Sequence, residues 1–180
     1  MTIVNPHFDT PAESSNSYNY VTVLSTIIGW SFSGTAYGTM IINGFSAYND
    51  ATTPSGTTQA LTIQMKANNG VYTASQSLSL TSGTCVVQFY ARPKPDTPFY
   101  SYYSVGQQIT ASLNNATVTT SLSQTDDWVL YSLSVVITTG GVYSLSFKFT
   151  TINTDCTTSI FGTYGTDTSI SLTGISMTQF

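Results

Sequence analysis

The chain has 180 residues, of which 41% are hydrophobic and only 7% are charged, and its formal net charge is −4. This length and apolar content predict one domain, residues 1–180, around one core. Four Lys and Arg residues are too few to neutralise a nucleic-acid backbone. No run of eighteen apolar residues could span a membrane, and no basic amphipathic helix could lie on one.

The amino-terminal segment "MTIVNPHFDTP" has neither a basic start nor an apolar core like that of a secretory signal peptide. We therefore expect either a trimmed form of an exported protein or a chain that is made and assembled in the cytosol, as virion proteins are.

Period-two hydrophobicity dominates the middle and the second half of the chain. In each of four segments the alternate apolar residues would form one buried face of a strand. In chain order these segments are "TQALTIQMK" with Leu61, Ile63 and Met65, "TCVVQFYAR" with Cys85, Val87, Phe89 and Ala91, "WVLYSLSVVI" with Val129, Tyr131, Leu133, Val135 and Ile137, and "GVYSLSFKFT" with Tyr143, Leu145, Phe147 and Phe149.

Turn signals separate these segments at intervals typical of antiparallel sheets. They are "PSG" at 54–56, "NNG" at 68–70, "SG" at 82–83, "NN" at 114–115 and "TGG" at 139–141. No segment has the period of an amphipathic helix. The pattern predicts an all-β antiparallel sandwich or barrel.

The two cysteines, Cys85 and Cys156, have no metal-site spacing. They are either one disulfide, in an oxidising compartment, or two reduced thiols. A structural zinc site is disfavoured because zinc usually takes four protein ligands.

Several short motifs follow one another in a characteristic order. They are "NPHFDTP", "IIGWSFSG", "PSGTTQALTIQ", "ASQSLSLTSGTCVVQFYARPKP", "TDDWVLYSLSVVI" and "SISLTGISMT". Together they resemble the galactose-binding-domain-like jelly rolls found among carbohydrate-binding modules and related extracellular or virion proteins. The resemblance covers nearly the whole chain.

The resemblance implies a single antiparallel jelly-roll β-sandwich of about eight to ten strands that binds sugars on one face or at one end. Many such domains also carry a structural calcium ion near the chain termini. Here Asp9 is retained in the first motif, but Thr173 stands where the calcium-binding Asp of the last motif would fall. Calcium usually needs more than one carboxylate, so we expect no cofactor, with calcium as the less favoured alternative.

Catalytic residue types are scarce. The chain has one histidine, His7, and one glutamate, Glu13, and it lacks the usual nucleophile and phosphate-loop motifs. The adjacent pair Asp126 and Asp127 is better explained as the start of a strand than as an acid and a base. The sequence therefore predicts a protein that is not an enzyme.

Sugar sites combine aromatic rings with a few polar side chains. The candidate ligand-binding or interface residues are Trp30, Tyr37, Arg92, Phe99, Tyr100, Tyr102 and Tyr103. Trp30 follows a glycine in an apolar run and has an alternative role in the core, and Trp128 has a similar alternative role in core or edge packing.

Five of these candidates lie in "RPKPDTPFYSYYS", residues 92–104, where we predict that Arg92 ends a strand and that residues 93–106 form a loop before the next strand. Three prolines reduce the entropy that such a loop loses on ordering. A rigid aromatic loop suits a ligand, a neighbouring subunit or a lid over the core, and the sequence favours recognition over a lid.

Two functional classes follow. The first is a structural or interaction module of a virion, such as a minor capsid, fibre or tail protein, with other protein subunits and glycans as partners. The second is a carbohydrate-binding or adhesion module of an exported cell-surface protein. Either class places the chain on a virion or at an extracellular surface, without nucleic acid and without membrane insertion. The sequon at Asn115 predicts N-glycosylation only if the chain passes through a secretory route.

Overall fold

The computed structural model describes residues 2–14, 17–20, 27–34, 38–43, 53–54, 56–66, 71–93, 106–122, 127–152 and 167–180. These ranges contain eleven β-strands and no helix, and hence no helix that could cross a membrane. In chain order the strands are β1 (Ser17–Tyr20), β2 (Ser31–Gly34), β3 (Gly38–Asn43), β4 (Gln59–Lys66), β5 (Val71–Leu80), β6 (Gly83–Pro93), β7 (Gly106–Leu113), β8 (Ala116–Leu122), β9 (Val129–Ile137), β10 (Gly141–Ile152) and β11 (Asp167–Gln179).

The strands form two antiparallel sheets. Sheet A has the order β1-β3-β4-β11-β6-β9, and sheet B has the order β2-β5-β10-β7-β8. The last strand, β11, therefore lies in the middle of sheet A, between β4 and β6. The predicted all-β antiparallel jelly-roll sandwich is confirmed, with one strand more than the resemblance implied.

The core lies between the sheets and is built by the alternation that the sequence shows. Side chains at alternate positions of β6 and β10 are buried, including Phe89 and Phe147. Their rings meet edge to face across the sandwich with centroids 5.0 Å apart. Burying each such aromatic side chain contributes about 1.5–3 kcal/mol.

The amino-terminal segment, residues 2–14, is held to the sandwich by two buried glutamines. Gln76 of β5 accepts a hydrogen bond from Val4 N at 2.9 Å and donates to Val4 O and Gly29 O, each also at 2.9 Å. Gln59 of β4 donates to Phe8 O at 2.6 Å and accepts from Glu13 N at 2.6 Å. Both side chains satisfy backbone groups of a segment that belongs to neither sheet.

Tight turns join several strands where the sequence predicts them. Asn114 and Asn115 form the two-residue turn between β7 and β8, and Asn114 has a φ of 56°, which asparagine tolerates well. Asn115 is exposed, so its glycosylation is sterically allowed and stays a prediction.

Candidate functional site

The outer face of sheet A carries a row of polar side chains across three neighbouring strands. Register pairs Ser171 of β11 with Thr62 of β4 on one side and with Arg92 of β6 on the other. Thr62 Oγ1 and Ser171 Oγ share a hydrogen bond of 2.8 Å, and both side chains are buried. Two residues further along β11, Thr173 Oγ1 donates to Gln59 O at 2.6 Å. The hydroxyl groups of this region are therefore satisfied within the protein.

Arg92 differs from these hydroxyls because its guanidinium is incompletely paired. The residue is only 9% exposed. Its Nη1 lies 3.5 Å from Asp127 Oδ1, and among the residues that the structure describes its Nε has no hydrogen-bond partner. The Asp127 side chain is 79% exposed, so the ion pair has high-dielectric surroundings on one side. A buried charged donor without a partner is costly, so its presence calls for an explanation, and a functional role is one.

Tyr90 lies two residues before Arg92 on the same face of β6. It pairs in register with Thr173 of β11 and with Leu130 of β9. Its ring is half-buried and packs against Gly174, which forms an irregularity of β11 with a φ of +61°. A Cβ atom at Gly174 would lie 2.9 Å from Tyr90 Cδ2. Only glycine allows the ring to lie this close to the strand without a shift.

Trp128 completes the site at the start of β9. Asp127 Oδ1 accepts a hydrogen bond of 2.8 Å from Trp128 N, which fixes the carboxylate beside Arg92. The register of β6 and β9 ends with Ala91 opposite Val129, and half-buried Trp128 directly precedes Val129. We call Tyr90, Arg92, Asp127 and Trp128 the arginine cluster. It combines aromatic rings, an acidic acceptor and an arginine donor at one end of sheet A.

Of the predicted site residues, the structure brings Arg92 to this cluster. Arg92 is a buried, sheet-paired residue of the predicted strand, and this strand, β6, continues one residue further than expected, to Pro93. The other loop candidates, Phe99, Tyr100, Tyr102 and Tyr103, lie outside the described residues, as does Tyr37. Their roles stay predictions.

Trp30 is a core residue, which corrects its place among the ligand-binding candidates. It is 5% exposed, and its ring lies 5.4 Å from that of Phe8 and 5.9 Å from that of Phe147. Its Nε1 donates to Asn5 O at 3.3 Å. A ring packed between the amino-terminal segment and sheet B has no free face for a ligand.

Tyr90 is not among the residues that the sequence predicts for the site, and for Trp128 the sequence favours a packing role. The signal for Tyr90 was present, since the period-two pattern of β6 puts it on the face opposite to Phe89. The pattern does not show that the outer face of β6 is itself partly covered at one end.

The structure describes both residues on which the calcium expectation rests, Asp9 and Thr173. Asp9 is exposed and accepts a hydrogen bond of 2.8 Å from Thr58 Oγ1, whereas Thr173 is buried. Within the described ranges no three His, Cys, Asp or Glu side chains cluster as metal ligands. The calcium alternative stays untested.

Cys85 is a free, fully buried thiol, and Cys156 lies outside the described residues. Burial raises the pKa of the Cys85 thiol.

Comparison with solved structures gives the same fold. The carbohydrate-binding module TmCBM61, solved in complex with β-1,4-galactotriose, superposes with a TM-score of 0.62 at 11% identity, covering 98% of this chain and 97% of that one. The enzymatically active domain of tailspike protein 4 from bacteriophage CBA120 gives a TM-score of 0.51 at 10% identity, covering 85% of this chain but 20% of that one. No protein-family model and no curated protein matches the sequence. At these identities the likeness shows the fold, a β-sandwich of the carbohydrate-binding-module type.

Proposed function

We propose that this chain is a non-enzymatic glycan-binding module whose site is the arginine cluster. The observation that carries the proposal is Arg92, a buried guanidinium on an outer sheet face, whose Nε donor has no partner among the described residues. The half-buried ring of Tyr90 lies two residues away on that face. Stability alone gives little reason to keep a charge in that position.

The chemistry of the cluster matches that of a sugar. A sugar ring has apolar C–H faces that pack on an aromatic ring, and its hydroxyl groups both accept and donate hydrogen bonds. Arg92 supplies donors in a rigid fork, and the exposed carboxylate of Asp127 supplies acceptors. Because Asp127 is held by Arg92 and by Trp128 N, little side-chain entropy is lost on binding.

Binding without cleavage is part of the proposal. Glycoside hydrolysis usually requires two carboxyl groups about 5–9.5 Å apart on either side of the scissile bond. Asp127 is the carboxylate that the structure places at the cluster, and its partner there is a guanidinium.

The proposed setting is a virion or an extracellular surface, where glycans are displayed. Two relatives in fold support it: one is a carbohydrate-binding module solved with a galactose trisaccharide, and the other is part of a phage tailspike. Protein subunits of an assembly are the second class of proposed partner. Detection of the chain in purified particles, or in a secreted fraction, would test the setting.

A glycan array that includes β-1,4-galacto-oligosaccharides is the direct test of binding, followed by calorimetry on the strongest hit. Tyr90→Ala should weaken binding by at least about ten-fold, since an anchoring ring contributes about 2 kcal/mol. Tyr143→Ala removes a half-buried tyrosine of sheet B and should leave affinity unchanged. Absence of any glycan binding by the folded chain, or equal binding by the Tyr90 variant, would contradict the proposal.

The aromatic loop residues can be tested in the same assay. Residues 94–105 follow Arg92 and Pro93 directly in sequence, so we propose that the loop aromatics extend the site. Phe99→Ala and Tyr102→Ala should then each cost about 2 kcal/mol in binding and about 0.5 kcal/mol or less in stability. A loss of about 3–5 kcal/mol of stability with unchanged affinity would assign Phe99 to the core instead.

A further inference from the structure

The four described edge strands differ in how well they are protected against pairing with another chain. Strands β1 and β2 are four residues long, which leaves little backbone for a partner to bind. Strand β8 presents exposed hydroxyl groups from Thr117, Thr119 and Ser121 on its outer face. Strand β9 is longer, at nine residues, and it carries hydroxyl groups at only two of its four outer-face positions, Ser132 and Ser134.

Strand β9 lacks the usual features that block edge pairing. Its sequence "VLYSLSVVI" contains no charged residue and no proline, and its register with β6 runs without a bulge. On its outer face Leu130 is 48% exposed and Val136 is 64% exposed. Among the described residues β9 pairs with β6 alone, and none of them pairs with the other row of its backbone N–H and C=O groups.

The outer-face stripe of β9 is also self-complementary. Along the strand this stripe reads Leu130, Ser132, Ser134, Val136. Two antiparallel copies of β9 related by a twofold axis at Leu133 would place Leu130 opposite Val136, and Ser132 opposite Ser134, on both sides of the axis. Apolar side chains then face apolar ones and hydroxyls face hydroxyls, which is the cross-strand pairing that stabilises sheets.

We propose that β9 pairs with β9 of a second copy of this chain and joins the two copies of sheet A into one continuous sheet. The edge of β8 lies on the same side of the sandwich and carries no charge that would oppose the approach. This inference rests on the edge strand and is independent of glycan binding.

The pairing would put two arginine clusters on one face. Tyr90 of β6 is in register with Leu130 of β9, which lies three residues from the twofold axis at Leu133. Tyr90 is therefore three residues from the axis along the strand direction, and its strand is one strand further from the axis than β9. With a rise of about 3.4 Å per residue and strands about 4.8 Å apart, the two Tyr90 positions lie about 25 Å apart. Two sites at that separation suit a polymer that presents repeated sugar units.

Sedimentation equilibrium across a concentration series tests the pairing. The mass should rise from 19.3 kDa toward twice that value. Val136→Lys should weaken self-association by at least about ten-fold, because a lysine on an edge strand blocks pairing. The matched control is Val142→Lys, at a 73% exposed valine of β10 inside sheet B, and it should associate as the parent chain does. A parent chain that stays monomeric up to about 1 mM, or equal association by the Val136 variant, overturns the proposal.

A cross-linking experiment tests the register even if the lysine variant folds poorly. Chains carrying Ser132→Cys and chains carrying Ser134→Cys, both with Cys156→Ser, are mixed under mild oxidation. Directly opposed residues have Cα atoms about 4.5–5.5 Å apart, within disulfide range, so the mixture should form a covalent dimer. Each variant alone offers only diagonal pairs and should cross-link several-fold less. Equal cross-linking in all three samples would refute the register.

Discussion

Replacing Arg92 by methionine separates binding from stability. The substitution keeps an unbranched side chain but removes a charge that is 9% exposed. Holding such a charge away from water costs several kcal/mol. The ion pair with Asp127 is 3.5 Å long, and the carboxylate is largely exposed. The pair therefore offsets only about 0–1 kcal/mol of this cost. We therefore expect the free energy of unfolding of Arg92→Met to be unchanged or up to about 2 kcal/mol higher.

Binding should respond in the opposite direction. A hydrogen bond to a charged donor contributes about 1.5–3 kcal/mol, so affinity for the glycan identified on the array should fall by about ten- to one-hundred-fold. The control is Lys148→Met, which removes an exposed cation of sheet B and should change stability by less than about 0.5 kcal/mol.

Urea unfolding followed by circular dichroism, with calorimetry for binding, provides both measurements. The urea midpoints of the variant and the parent chain can be compared only if the slope of the unfolding transition is the same in both. If Arg92→Met loses more than about 2 kcal/mol of stability, the guanidinium is a structural group and the reasoning that assigns it to a ligand is wrong.

Three further predictions concern stability. Gln76→Ala removes three hydrogen bonds and should cost about 2–3 kcal/mol in urea unfolding, whereas exposed Gln88→Ala should cost almost nothing; equal effects would contradict the anchoring role. Gly174→Ala should cost more than Gly56→Ala, because both have positive φ but only the first added Cβ meets a neighbouring ring, and equal losses would disprove that contact. Burial raises the pKa of Cys85 above its ordinary 9.0, so the folded state keeps the proton that the unfolded state loses. Its contribution to stability should therefore be complete below about pH 9 and decline above it, in unfolding curves compared with Cys85→Ala.

The sandwich could be predicted because many of its strands have one face in the core and one face in water, which produces alternating hydrophobicity. In β10 the alternation puts Leu145, Phe147 and Phe149 inward, and all three are fully buried as the sequence predicts. Alternation is less clear in β4, where Leu61 and Thr62 are consecutive and both buried. Period-two patterns weaken where both faces of a strand are covered, as they are in this central strand.

The site was less predictable because its residues are brought together by register. Arg92 and Asp127 are 35 positions apart in sequence, and Arg92 and Ser171 are 79 apart, yet antiparallel pairing makes each pair neighbours. The composition of the chain identified aromatic residues and arginine as candidate site material. Composition alone does not show which of these rings lie on the outer face of a strand whose inner face is buried in the core.

The central position of β11 affects how the chain reaches its native state. Strands β4 and β6 can be synthesised and can pair with β3 and β9, but they have no common neighbour until residues 167–179 have left the ribosome. Until then the chain would expose two long unpaired edges, and sheet A would close only through contacts between residues about 80–110 positions apart. Such long-range closure slows folding, so we expect sheet A to form after synthesis and to be most prone to aggregation just before β11 docks.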